Sequence, residues 1–141
     1  MKLIWMVVVL FGLGVGAMAD TRVTQALNDY RASQGRAPVT YSATLEAAAE
    51  AHATDMAARG FFDHRGSDGS TVGTRVRQQG YGWCFVAENI AQGQASLADV
   101  MQAWAESRGH RRNMLSRQAQ EFALVEAPGR LWVMVLAAPG C

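Results

Sequence analysis

Lysine is almost missing from this chain. Lys2 is the only one among 141 residues, and once residues 1–19 are set aside the remaining 12 basic residues are all arginine, against 12 acidic ones. The balance is near zero, which argues against a general nucleic-acid or anionic-membrane binder, since either would carry a net basic field. No internal repeat and no low-complexity linker is present. There is no HExxH pair, no phosphate loop and no dinucleotide fingerprint. The stretch RGSDG falls short of a nucleophile elbow, because Arg65 and Gly66 put the glycine in the wrong place relative to Ser67. What remains must be read from a few polar residues set in an ordinary apolar framework.

Lys2 is followed by an unbroken apolar stretch, Leu3 to Leu13, and then by small residues. Ala17-Met18-Ala19 fits the small-x-small cleavage rule, so residues 1–19 are expected to be a signal peptide cut before Asp20. The apolar core is too short for a comfortable membrane span, so no transmembrane segment is expected after cleavage. No cysteine lies near the cut for lipid attachment. The expected mature product, residues 20–141, is one exported domain, secreted or periplasmic and monomeric, able to bury a single core. Its two cysteines, Cys84 and Cys141, are an even count in an oxidising compartment, which favours a disulfide over two free thiols. Such a bridge would contribute roughly 4 kcal/mol by loop-closure entropy.

Val23, Leu27 and Tyr30 recur at helical spacing from Thr21, and Gly35 and Pro38 stop that helix. Ser42 can cap a second helix with the stripe Leu45, Ala48, Ala49, His52 and Met56, closed by Gly60. FFDHRGSDGS has loop composition. A short helix is expected over Val72 to Gln79, then an extended or irregular passage through YGWCFVAENIA. Ser96 and Asp99 open a helix burying Val100, Met101 and Trp104. Phe122–Glu126 and Leu131–Ala137 flank Pro128-Gly129 as a terminal hairpin, and Val39–Tyr41 can add a short strand. Helices early and strands late indicate an α+β domain.

The three histidines differ in setting. His52 sits mid-helix on an apolar stripe and reads as a core residue bonded to a neighbour; His64 lies in a loop, and His110 follows a helix end in SRGHRRNML. Loops carry sites more often than helix interiors do. Glu88 and Asn89 interrupt the apolar run of VAENIAQG. A carboxylate there can orient a histidine by accepting its ring N–H, or hold irregular backbone in place, as Asn89 and Asn113 would. Arg108, Arg111, Arg112 and Arg117 form a local basic group, read as a solvated helix end.

The ordered pieces LNDYRASQG, HATDMAARGFFDH, DG, GY, AENIAQG and WAESRGHRRNML resemble the bacterial members of the CAP superfamily, the cysteine-rich secretory protein, antigen 5 and pathogenesis-related 1 group, also called SCP. The resemblance spans nearly all of residues 20–141. It implies an α-β-α sandwich with a central antiparallel sheet, and a cleft lined by two histidines and two glutamates that can hold a divalent metal. Carried over by motif, His64, Glu88 and His110 take three of those places. Glu106 is the nearest candidate for the fourth, but it is two residues past Trp104 where many eukaryotic members have three; Ser107 holds that position, and Arg108 stands where a proline is frequent.

Two imidazoles can hold an ion such as zinc together with water, though they are fewer than the three protein ligands of ordinary catalytic zinc sites. The expectation is therefore a weak divalent metal at His64 and His110. The leading functional expectation is binding of a lipid, small molecule or cell-envelope component. A metal-dependent hydrolase with Glu88 or Glu106 as general base is the alternative. An adhesive envelope module that ignores the cleft is a third reading.

Overall fold

The computed structural model describes residues 15–141, with side chains from Asp20 onward. The first 14 residues of the expected signal segment lie outside the described residues. Helix α1 runs Val15–Ser33, earlier than the sequence spacing suggested; Ala17, Met18 and Ala19 are good helix formers and carry the turn past Gly16. Then follow β1 Thr40–Tyr41, α2 Ala43–Arg59, α3 Val72–Gln78, β2 Trp83–Gln92, α4 Leu97–Glu106, α5 Arg108–Met114, β3 Glu121–Ala127 and β4 Leu131–Pro139. The seven-residue α5 was not anticipated; it starts where the Arg111 amide bonds the Ser107 carbonyl, immediately after α4 ends.

The strands form one sheet in the order β1-β3-β4-β2. β3 and β4 make the expected hairpin, β2 pairs antiparallel with β4, and the two-residue β1 adds a parallel edge beside β3. Strand β4 is buried along almost its whole length and sends alternate side chains to opposite faces. Val133, Val135 and Ala137 enter a core with Leu45, Ala49 and Met56 of α2 and Val76 of α3. Trp132, Met134 and Leu136 enter a second core with Leu27 of α1, Val100 and Trp104 of α4, and Met114 of α5. The fold is thus an α+β sandwich with helices on both sides of the sheet.

Helix α2 is capped by the Ser42 hydroxyl, which accepts from the Leu45 amide, and ends at Gly60 with φ 67°. That left-handed turn, costly for any residue with a Cβ, aims the chain into the loop carrying His64. Helix α3 is held to β2 at Gly73, where an added Cβ would stand 2.6 Å from the Trp83 ring, and the Trp83 indole donates to the Gly73 carbonyl at 2.9 Å. Arg77 stacks 4.2 Å above the same ring. The passage read as extended or irregular is a ten-residue strand, irregular only between Trp83 and Phe85. Cys84 and Cys141 are joined, tying the last residue to this edge strand.

Candidate functional site

Val86, Glu88 and Ile90 share one face of β2, with Val86 and Ile90 packed into the α2–α3 core. Glu88 therefore points into that layer, and its side chain is only 2% exposed. A carboxylate so placed must be paired on both oxygens. Oε1 accepts from His64 Nδ1 at 2.8 Å, and Oε2 accepts from Arg75 Nη2 at 2.8 Å. Arg75, itself buried, also donates to the His64 carbonyl at 3.0 Å and to the Ser70 carbonyl at 3.0 Å. One guanidinium thus fixes the acid and both ends of the loop that presents the imidazole.

The rest of the loop is tied down by carboxylates. Asp55 of α2 accepts from the Ser67 amide and hydroxyl, and Asp63 accepts from the Arg65 amide. Gly66 leaves no room for a side chain: a Cβ there would lie 2.4 Å from Ser70 Oγ. His64 is consequently held from behind while its side chain remains 58% exposed. With Nδ1–H given to Glu88, Nε2 faces outward, as a lone pair when the ring is neutral and as a donor when it is protonated. The hydrogen bond to Glu88 raises the His64 pKa above its ordinary value, against an opposing contribution from burial.

His52 is fully buried; its Nε2 donates to the Asp63 carbonyl at 2.8 Å and lies 3.9 Å from Glu88 Oε1. It is the core histidine the sequence suggested, and it anchors the residue just before His64. Burial holds its pKa below the ordinary value, with Glu88 acting in the opposite direction. On the other face of β2, the buried Asn89 donates to the His110 carbonyl at 3.1 Å and accepts from Asn113 at 2.9 Å. Those two amides position α5 and hence His110, whose ring lies 6.3 Å from that of Trp104. Burial, and secondly the charge of His64, depress the His110 pKa.

Glu106 is not part of this arrangement. It is exposed on α4 and accepts from Gln102 one turn earlier, at 3.0 Å. Among the described residues no group of three or more His, Cys, Asp or Glu side chains is arranged to hold a metal ion. Both Glu88 oxygens are occupied by protein hydrogen bonds. Residues Asp63, His64, Arg65, Thr71, Val72 and Glu88 surround an open pocket of about 370 Å³.

Arg75 is the residue that sequence reasoning missed. Its signal was local: it lies three residues after Val72 and beside Val76, which places its stem on the buried side of α3. A guanidinium there calls for a buried acid, and Glu88, assigned from sequence only a histidine, had a second oxygen left to satisfy.

The family model described as "CAP: Cysteine-rich secretory protein family" matches residues 24–129. The uncharacterized protein YkwD of Bacillus subtilis (strain 168) is 32% identical over 97 residues, covering 69% of this chain and 38% of that protein. The chain therefore spans well under half the length of this relative. An extracellular protein containing a SCP domain from Bacillus anthracis superposes with a TM-score of 0.80 at 21% identity, over 85% of this chain and 40% of the other. An outer surface protein from Borrelia burgdorferi gives 0.77 at 16% identity, over 86% of this chain and 94% of the other. At such identities these structural likenesses are likenesses of fold.

Proposed function

The chain belongs to the cysteine-rich secretory protein (CAP) family, and on that premise we propose that it is an exported binding protein, secreted or periplasmic, whose recognition site is the pocket at His64. The signal-like residues 1–19 support export, as do relatives described as extracellular and outer-surface proteins. No helix among the described residues is long and apolar enough to cross a membrane.

One observation carries the reading: both oxygens of Glu88 are consumed by His64 and Arg75. To serve as general base, the carboxylate would have to break one of those bonds and would then be more weakly basic beside a guanidinium. As an orienting group it is already in position. The pocket presents an aimed imidazole among Asp63, Arg65 and Thr71, with Val72 as its apolar wall. That lining sets charged and hydroxyl groups beside an apolar wall, the mixture that orients a small molecule or an envelope component.

A divalent ion such as zinc would be held by His64 and His110 with water, where it would supply a Lewis-acidic contact for an anionic or carbonyl group. Two neutral imidazoles give weak, exchangeable binding, and protonation of His64 competes with it. Calorimetric titration with zinc of residues 20–141, and of the His64→Ala and His110→Ala variants, tests this. Weak saturable heat is expected in the unsubstituted protein and none after His64→Ala. Equal heat in all three removes the metal, while turnover of ester, peptide or polysaccharide substrates replaces binding with hydrolysis.

A further inference from the structure

A second cavity, about 590 Å³, opens on the α1–α4–α5 side of the sheet, at the end of α5 and the segment after it. Arg36, Arg108, Arg111, Arg112 and Arg117 line it beside Phe85, and no acidic residue does. None of the five forms an ion pair among the described residues. Arg36 Nε donates to the Leu115 carbonyl at 2.8 Å and Arg111 to the Ala105 carbonyl at 3.0 Å. Arg108, Arg112 and Arg117 are exposed.

Beneath this wall lies a sixth guanidinium. Arg31 is 1% exposed and bonds only carbonyls, those of Ala37, Met114 and Ser116. Burial, and then repulsion from Arg36, push its pKa down. Like charges so gathered repel one another, and an anion in the cavity would relieve that repulsion. A solvated helix end accounts for the four arginines at 108–117. It does not account for Arg36, which arrives from the turn after α1, or for buried Arg31 under the same segment.

We infer that this cavity binds a small phosphate-bearing anion, such as a phosphorylated sugar or the phosphate of a lipid headgroup. Guanidinium forks match phosphate oxygens two at a time, and Phe85 offers an apolar wall for the organic part. The volume is in the range of small-molecule sites. Residues 20–141 are near neutral overall, so no net basic field draws in a polyanion, which favours a compact anion over a nucleic acid.

The test is calorimetric titration of the chain with inorganic pyrophosphate, paired with co-sedimentation on phosphatidylcholine vesicles with and without phosphatidylglycerol. Saturable pyrophosphate binding is expected, weakened about tenfold or more by Arg112→Gln/Arg117→Gln. Arg22→Gln/Arg130→Gln, which removes the same charge from exposed positions elsewhere, should leave it unchanged. His64→Ala should leave it unchanged too, so this site stands or falls separately from the His64 pocket. Vesicle retention that pyrophosphate competes away identifies a headgroup as the source; pyrophosphate binding without retention identifies a free phosphate ester. No saturable heat, equal weakening in the two double variants, or binding of an oligonucleotide but not pyrophosphate would overturn the inference.

Discussion

Arg75 and Arg112 are the same residue type in two regions that use it in opposite ways. In the His64 pocket a single buried guanidinium is matched by a single buried carboxylate, and every remaining bond it makes goes to the loop it holds. In the α5 cavity five guanidinium groups share a wall without an acid. Matched charge builds rigidity, because the pair is costly to break and leaves nothing over for a ligand. Unmatched charge at a surface does little for stability and keeps its hydrogen-bonding capacity for whatever arrives. The number of arginines in the sequence is silent on this distinction; what decides it is whether a carboxylate is within reach.

The sharpest way to break the comparison is Arg75→Ala, which strands Glu88 in the core. A loss of about 3–5 kcal/mol is expected, read from the urea midpoint. Replacing the pair together, with Arg75→Met and Glu88→Leu, should recover much of that stability while freeing His64 from its orientation. Glu88→Gln comes next, at about 2–3 kcal/mol, because the amide cannot satisfy the guanidinium charge. In that variant the His64 pKa should fall, measured by its ring-proton shifts against pH, since burial is left without the opposing carboxylate.

Smaller effects follow from pH. His64 has a raised folded pKa, so its stabilising contribution is complete below the unfolded value of about 6.5 and is lost as pH rises through the folded value. His52 and His110 have depressed folded pKa values, so their contribution has the opposite sign: stability falls as pH drops from about 6.5 through their folded values. Chemical denaturation across pH 5–8 should show His110→Gln losing less stability on the acid side than the parent, and Glu88→Gln showing less change on the alkaline side. The smallest effect belongs to the α5 cavity: Arg112→Gln/Arg117→Gln should change stability by no more than about 0.5 kcal/mol, in either direction, by thermal unfolding.

The same contrast explains what could be read before the structure. Apolar periodicity placed α2, α4 and the β3–β4 hairpin because those elements bury one regular stripe each. Strand β2 could be read only as an extended or irregular passage, since Glu88 and Asn89 interrupt its apolar pattern and each is buried by virtue of a partner distant in sequence: Arg75 for one, His110 and Asn113 for the other. His64 and Glu88 could be singled out by residue type and motif. Arg75 was hidden inside a short helix, and Glu106 carries the right chemistry one residue away from the expected position, where α4 turns it toward Gln102 and solvent. Arg36 joins the α5 arginines only through the tertiary fold, so four of the five cavity arginines were visible as a cluster and the concavity was not.

The tautomer of His64 tests the central claim most directly. Two-bond proton–nitrogen correlation spectra of the histidine rings across pH report which ring nitrogen keeps its proton. The hydrogen bond to Glu88 predicts Nδ1–H for neutral His64, a pKa above the ordinary imidazole value, and loss of both features in Glu88→Gln. An Nε2–H ring, titrating at or below the ordinary value and indifferent to that substitution, would contradict it.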